Sequence, residues 1–222
     1  MTDLILVPTP GELETIRPLL GTESDDLAFQ VCGFGPIAAA ARTAALISRY
    51  KASRVVLIGI AGSFDIAKYP VGSAGRFEEV ACHGIGVGSG PDFQSATDLG
   101  WHQFSGGDDA QPKISDTIRL DSTYVANQKI SGQLLTVCSA SANAEEASIR
   151  RQMFPHAIAE DMEGFAVATA CTLASVPLQI VRGISNQVGD RNHEHWQIEK
   201  ALRSAAKLAR RLMPQTWMPS EA

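Results

Sequence analysis

A run of acidic residues in the second half of the chain is the first place where chemistry could occur. Glu160, Asp161 and Glu163 stand directly before an apolar run without helix breakers, Phe165 to Ala174. The pattern predicts a helix, whose macrodipole favours carboxylates in its first turn. We interpret Glu160 and Asp161 as helix caps. Glu163 is instead predicted to be an ionised hydrogen-bond acceptor, because an apolar helix that buries itself also buries the base of that side chain.

A second pair of acids, Glu12 and Glu14, lies in another predicted first turn. They follow the apolar run Leu4 to Val7 and the turn Pro8-Thr9-Pro10-Gly11, which together predict a buried strand that leads into a helix. A carboxylate at such a turn can act as a general base towards water. Helix capping is the alternative.

Polar residues also follow the predicted strand Leu178 to Ile184, in the loop from Ser185 to Asp190. In open α/β sheets, ligands bind beyond the carboxyl ends of the strands, so we expect Ser185 and Asn186 to face a ligand. Arg182 lies within the strand. We interpret it as a structural partner for a carboxylate rather than as a substrate ligand.

The elements that must position these residues alternate between strand and helix along the chain. We predict an α/β fold with a single domain over residues 1–213, in which helices cover both faces of a central mixed, twisted β-sheet. Residues 214–222 are predicted to be a flexible tail. The predicted strands are Leu4–Val7, Ala28–Cys32, Arg54–Ile58, Val71–Val80, Leu134–Cys138, Ala157–Ala159 and Leu178–Ile184. The predicted helices start near Glu12 and then cover Ile37–Tyr50, Asp121–Ile130, Ala144–Phe154, Phe165–Ala174 and His195–Met213.

Composition excludes several classes of function. The formal net charge of −5 argues against a nucleic-acid or anionic membrane surface, and no apolar stretch reaches membrane-spanning length. The four cysteines are far apart and form no CxxC pair, which predicts reduced thiols and a soluble, cytoplasmic protein. His193 and His195 lack metal-ligand spacing, so we expect neither a metal nor a cofactor.

One glycine pattern imitates a dinucleotide-binding fingerprint. The spacing Gly33-x-Gly35-x-x-Ala38 would need an acid at the end of the next strand, to hold a ribose hydroxyl. That strand instead ends in Gly59-Ile60-Ala61-Gly62-Ser63. The fingerprint therefore fails, and we interpret it as a tight turn with close helix packing.

Two motifs together resemble the nucleoside phosphorylase and nucleosidase superfamily. They are Asp161-Met162-Glu163-Gly164 and Val181-Arg182-Gly183-Ile184-Ser185-Asn186. Within that superfamily the chain most resembles the futalosine hydrolases, enzymes of the alternative menaquinone pathway. The resemblance covers most of the chain and weakens between Gly100 and Gly132.

The resemblance implies roles for individual residues. A carboxylate after the first strand would activate the attacking water, and the alignment favours Glu14, with Glu12 second because of the Pro10-Gly11 insertion. Glu163 would accept hydrogen bonds from the ribose hydroxyls, and Asn186 would address the base. The other substrate contacts that it implies are Ala61, Gly62, Ser141, Met162 and Ser185. No aromatic residue is found near Ala140, where relatives often stack the purine.

The implied activity is hydrolysis of the N-glycosidic bond of futalosine, which would give hypoxanthine and dehypoxanthine futalosine. We expect a nucleoside and water as the small-molecule partners and a homodimer or higher homo-oligomer as the assembly. One alternative is a nucleosidase for methylthioadenosine, S-adenosylhomocysteine or aminofutalosine. Another is a purine nucleoside phosphorylase, although Val56 to Gly59 contains no cation for phosphate. A third is a non-catalytic nucleoside or dinucleotide sensor.

Overall fold

The computed structural model describes residues 2–107, 112–120 and 132–212. Its strands are β1 Thr2–Val7, β2 Leu27–Val31, β3 Ala52–Ser63, β4 Ala74–Arg76, β5 Glu79–His83, β6 Gly86–Val87, β7 Gln94–Ser95, β8 Phe104–Ser105, β9 Lys113–Ile114, β10 Thr117–Arg119, β11 Gln133–Val137, β12 Ala157–Asp161 and β13 Leu178–Gln187. Its helices are α1 Pro10–Leu20, α2 Pro36–Tyr50, α3 Ala144–Met153, α4 Gly164–Leu173 and α5 Ile198–Leu212, with 3₁₀ turns at Gly90–Asp92 and His193–His195.

A central sheet of nine strands has the order β10-β5-β11-β12-β3-β1-β2, and β13 pairs with both β3 and β4. Most neighbours are parallel, whereas β10–β5, β12–β3 and β13–β4 are antiparallel. The predicted mixed sheet is confirmed.

Alternation along the strands divides the core into two layers, because successive side chains of a strand point to opposite faces. Leu4 and Leu6 of β1 pack with α2 and α4. Ile5 and Val7 pack with α1 and α5 on the other face. Helices on both faces, as predicted, therefore enclose the sheet.

The edge of β3 that faces β1 changes partner along its length. The parallel strand β1 pairs with it as far as Leu57. The antiparallel strand β12 pairs with the same edge from Gly62 onward. Residues 58–61 lie between these two partners, so the carboxyl ends of β1 and β12 approach each other across a gap in the sheet.

The acidic run is placed differently from the prediction. Glu160 and Asp161 were predicted to cap a helix, but they pair with Leu135 and Thr136 of β11 and belong to β12, although the Asp161 side chain still accepts from the N–H of Gly164, the first residue of α4. Helix α4 begins only at Gly164. The predicted helix Asp121–Ile130 and the predicted tail lie outside the described residues. No helix in the described part of the chain is long and apolar enough to cross a membrane.

Candidate active site

Glu12 is fixed at one side of the gap by the first turn of α1. Thr9, the N-cap of this helix, accepts from the Glu12 N–H at 3.3 Å and donates its hydroxyl to Glu12 Oε2 at 2.8 Å. The other oxygen of Glu12 accepts from the backbone N–H of Ile60 at 3.3 Å, on the edge of β3 between its partners β1 and β12. Burial raises the pKa of Glu12, although the charge of Arg182 opposes the shift.

Glu14 lies elsewhere. It is exposed and does not line the cavity that contains Glu12. The position expected for Glu14 is therefore occupied by Glu12. Residues two apart on a helix are separated by about 200° around its axis, so only one of the two acids can face the sheet.

Glu163 is fixed at the other side of the gap, at the N-cap of α4. Its Oε1 accepts from the backbone N–H of Gly35 at 3.0 Å, and Arg182 Nη2 donates to its Oε2 at 3.3 Å. Burial raises the pKa of Glu163 to about 7, although the positive charge of Arg182 works in the opposite direction.

Arg182 is fully buried and links the acids of the site. Its Nε donates to Asp161 Oδ2 at 3.0 Å, and its Nη2 contacts both Asp161 and Glu163. Asp161 also accepts from the Gly164 N–H at 2.8 Å and from the Thr136 hydroxyl at 2.6 Å. The ion pairs agree with the interpretation of Arg182 as a partner for carboxylates.

A bare backbone position makes room for this guanidinium. Gly59 pairs with Arg182 in the sheet, and a Cβ on Gly59 would lie 2.2 Å from Arg182 Nη1 and 2.9 Å from Glu12 Oε1. Nη1 is buried and has no hydrogen-bond partner among the described residues. A donor without a partner is costly in a protein interior.

A cavity of about 630 Å³ lies between Glu12 and Glu163 and is lined by both. Its buried wall includes the carboxylates of Glu12, Asp161 and Glu163, and the gap in β3 contributes Ile60 to Gly62. The arrangement offers a buried carboxylate on each side of a space the size of a small-molecule ligand. Among the described residues, no cluster of acids, histidines or cysteines could hold a metal ion.

Comparison with known proteins assigns the family. The family model described as the phosphorylase superfamily matches residues 22–215. A futalosine hydrolase of Streptomyces coelicolor is 31% identical over 224 residues, which cover 96% of this chain and 91% of that protein. The chain belongs to the phosphorylase superfamily.

Other members of the phosphorylase superfamily are also similar. A 5′-methylthioadenosine/S-adenosylhomocysteine nucleosidase of Colwellia psychrerythraea is 28% identical over 203 residues, covering 87% of this chain and 81% of that protein. The solved structure of a futalosine hydrolase of Helicobacter pylori has a TM-score of 0.78 at 17% identity, covering 96% of this chain and 97% of that one. The predicted family and the predicted class of enzyme, a hydrolase of N-glycosidic bonds, are confirmed.

Four of the five predicted substrate contacts line the cavity, namely Ala61, Gly62, Met162 and Ser185. The fifth, Ser141, does not. Its N–H and its hydroxyl both donate to Glu160, each at 2.8 Å, and Arg150 closes the cluster with a hydrogen bond to Glu160 at 2.8 Å. Because these polar groups are already used, Ser141 shapes its loop while the neighbouring Ala140 faces the cavity.

Asn186 follows the cavity-lining Ser185 in β13 and does not itself line the cavity. Its Oδ1 accepts from the Ser185 hydroxyl at 2.7 Å, and its Nδ2 donates to the backbone carbonyl of Gln187 at 2.8 Å. A flipped amide would set two oxygens against each other at Gln187, so these contacts fix which end of the amide faces Ser185. Asn186 is therefore connected to the cavity through Ser185.

The glycine pattern has the packing role that was predicted. A Cβ on Gly33 would lie 2.9 Å from the Cβ of Ala38 in α2. The backbone N–H of Gly35 is used by Glu163, so the turn also positions one of the acids.

Sequence reasoning missed part of the wall. Phe34, Arg191, Trp196 and Ile198 line the cavity, yet they come from loops and a helix start that carry no recognisable motif. Aromatic side chains in polar loops were the available signal, since exposed aromatic residues often bind ligands. Phe34 and Trp196 are the aromatic residues of this wall.

Proposed function

We propose that this protein hydrolyses the N-glycosidic bond of futalosine, a 6-oxopurine nucleoside, and releases hypoxanthine and dehypoxanthine futalosine. The observation that carries the proposal is the convergence of Glu12 and Glu163 on one cavity from opposite sides of the gap in the sheet. The similarity to futalosine hydrolases over most of the chain supports the choice of substrate.

Glu163 is the proposed ligand of the sugar. Breaking the bond between C1′ and the base passes through a sugar with oxocarbenium character, so a carboxylate that accepts from the ribose hydroxyls favours the developing positive charge. Its two oxygens already accept from Gly35 and Arg182, and each retains a further lone pair for a hydroxyl. Met162, which also lines the cavity, offers an apolar surface to the sugar.

Glu12 is the proposed general base. Burial raises its pKa, and a carboxylate of raised pKa removes a proton from water more readily once it is ionised. The unpartnered Nη1 of Arg182 and Oε1 of Glu12 both lie close to Gly59, at 2.2 Å and 2.9 Å from the position of a Cβ on that residue, so a positive charge stands near the proposed base. In the reaction the water oxygen bonds to C1′, and the proton that Glu12 removes finally replaces the sugar on the departing base.

Hydrolysis is preferred to phosphorolysis because of the charge of the cavity. The absence of a cation in Val56 to Gly59 was one argument, but the fold brings Arg182 against Gly59. That cation is already paired with Asp161 and Glu163. A phosphate dianion beside Glu12 would therefore meet carboxylates and a cation that is already paired, which makes its binding at that place unfavourable.

Asn186 is the proposed determinant of the base. A neutral amide can accept from a protonated N7 and donate to the O6 of hypoxanthine, whereas it leaves the amino group of a 6-aminopurine facing a donor. Such mispairing costs about 1–3 kcal/mol, which corresponds to a roughly tenfold to hundredfold preference. In this structure the amide lies behind Ser185, and its two ends are engaged by the Ser185 hydroxyl and the Gln187 carbonyl, so direct contact with the base requires these hydrogen bonds to be exchanged.

The test is a comparison of kcat/KM for futalosine and its 6-amino analogue. The wild type should prefer futalosine, and Asn186→Asp should shift the preference towards the amino compound, because a carboxyl group can protonate N7 and accept from the amine. Equal kcat/KM values for the two substrates in the wild type would refute the role of Asn186.

A second candidate is a nucleosidase for 5′-methylthioadenosine and S-adenosylhomocysteine. Several curated relatives of similar length bear that name at 26–28% identity. Including 5′-methylthioadenosine in the comparison separates the candidates, since a higher kcat/KM for it than for futalosine would favour the second.

A further inference from the structure

Glu160 is a further buried acid in the wall of the cavity, and it takes no part in the proposed mechanism. Only 7% of its surface is exposed, although it lines the same cavity as Glu12 and Glu163. Its side chain projects from β12 rather than from a helix terminus. A carboxylate buried this deeply needs hydrogen bonds and a counter-ion, so its partners determine how much of it remains for a ligand.

Two residues outside the cavity wall hold the Glu160 carboxylate. The Ser141 N–H donates to Oε1 at 2.8 Å. The Ser141 hydroxyl and Arg150 Nη1 both donate to Oε2, each at 2.8 Å. Among the described residues Oε1 therefore has a single donor. Since each carboxylate oxygen can accept about two hydrogen bonds, Oε1 keeps the capacity for one more.

The same contacts turn the hydrogen-bond donors of the Ser141 loop away from a ligand. Ser141 is a substrate contact that the family resemblance implies, yet its N–H and its hydroxyl are both used by Glu160. Its neighbour Ala140, which does line the cavity, brings only a methyl group. This part of the wall therefore offers a ligand an acceptor, the Glu160 carboxylate.

The sheet places Glu160 beside the proposed site of the base. Gly62, which lines the cavity, pairs with Glu160 of β12 on one side and with Asn186 of β13 on the other. Neighbouring strands are about 4.8 Å apart, so the backbones of Glu160 and Asn186 are separated by roughly 10 Å. A planar base that meets Asn186 through N7 and O6 can therefore present its N1 to Glu160.

Resting on the proposed function, we propose that Glu160 selects a 6-oxopurine by accepting a hydrogen bond from its N1–H. The N1 of hypoxanthine carries a proton, whereas the N1 of a 6-aminopurine carries a lone pair, which a carboxylate repels. A site built to pair with one polar group rejects an analogue that lacks it. Ser141 and Arg150 position the carboxylate for this contact, and Glu160 reads the base from the cavity wall itself.

The test compares kcat/KM for futalosine and its 6-amino analogue in the wild type and in Glu160→Gln. The amide keeps the shape of the side chain, but it loses the charge and replaces one acceptor end by a donor. We expect the ratio of the two kcat/KM values, which favours futalosine in the wild type, to fall by roughly tenfold to hundredfold, as for other charge-assisted hydrogen bonds.

Glu146→Gln is the matched control. Glu146 also holds this loop through a carboxylate, which accepts from the Ala142 N–H at 2.8 Å, but it is exposed and lies outside the cavity wall. This variant should keep the wild-type ratio. An equal loss for both substrates in Glu160→Gln would overturn the proposal, because Glu160 would then only maintain the loop. A fall of the ratio in Glu146→Gln as large as in Glu160→Gln would overturn it as well.

A second measurement needs no variant. In calorimetric titration of the wild type, 1-methylhypoxanthine, which lacks the N1–H, should bind about tenfold or more weakly than hypoxanthine. Equal affinities, or no binding of hypoxanthine, would overturn the proposal. A wild type that releases no hypoxanthine from futalosine refutes the proposed function instead, and the titration with the two free bases still tests the contact with Glu160.

Discussion

At the scale of single residues, the proposed chemistry rests on Glu12 and Glu163, which line one cavity, and on Arg182, which pairs with Glu163. Glu163 could be predicted from its motif. The pairing of Arg182 with carboxylates could also be predicted, because a charge buried in an apolar strand needs a partner. The choice between Glu12 and Glu14 could not. It depends on the rotation of α1 about its axis. In the fold, the backbone N–H of Ile60, on the distant strand β3, donates to Glu12 and not to Glu14.

The two acids of α1 supply a matched pair of substitutions. We expect Glu12→Gln to lower kcat by about 10²–10⁴-fold, the usual contribution of a general base, while the protein stays folded. Glu14→Gln changes the same group two residues away on the exposed side of the helix and should keep wild-type kcat. Steady-state assays of both variants identify the general base. An inactive Glu14→Gln beside an active Glu12→Gln would mean that Glu14, the residue favoured by the sequence, is the base.

The pH dependence should report Glu163. Its pKa is raised from 4.5 to about 7 because burial disfavours its charged form. As the ionised form accepts from the sugar hydroxyls, kcat/KM should fall as the pH drops below about 7. Glu163→Gln should lose most of kcat, and its residual activity should lack the fall near pH 7 that belongs to Glu163 and keep only the acid limb set by Glu12.

The raised pKa of Glu163 also affects stability, which should decrease with rising pH where activity increases. Between pH 4.5 and about 7 the folded state keeps a proton that the unfolded state has released. The free energy of unfolding should therefore decrease as the pH rises through this window. Urea unfolding of the wild type and of Glu163→Gln at several pH values measures the effect. An unchanged pH dependence in the variant would mean that another group is responsible.

At the scale of elements, the strands and the buried faces of the helices follow from periodicity, but the order of the strands and the gap that holds the site do not. Apolar residues of β1 alternate between the two core layers, as the run Leu4 to Val7 indicates. Nothing local in the sequence shows that β3 exchanges β1 for the antiparallel β12 after Leu57. Strand pairing depends on contacts between distant residues, so the gap appears only in the folded sheet.

Gly59 tests this arrangement of strands. In Gly59→Ala the new Cβ would lie 2.2 Å from Arg182 Nη1, so the guanidinium or the strand must shift. Overpacking of this kind lowers the free energy of unfolding by about 1–3 kcal/mol. Activity should fall as well, because the new Cβ would also lie 2.9 Å from Glu12 Oε1. Thermal unfolding and kcat are the measurements. Gly107→Ala, whose added Cβ meets no atom of the described residues within 4 Å, is the control and should retain the wild-type Tm.

At the scale of the whole molecule, the fold unites residues that are far apart in sequence. Glu12, Gly59, Glu163 and Arg182 come from four separate elements and meet beside one cavity. The fold class could be predicted because alternating strands and helices specify it. The aromatic part of the cavity wall could not be predicted, since Phe34 and Trp196 lie in different loops whose positions depend on the completed sheet.

The most direct test of the account is product analysis of futalosine cleavage by the purified protein, with and without inorganic phosphate. A cavity lined by carboxylates, with Arg182 already paired, predicts release of hypoxanthine at the same initial rate in both reactions, with dehypoxanthine futalosine as the other product. Release that requires phosphate and yields a sugar 1-phosphate, or no release of hypoxanthine at all, would contradict the account.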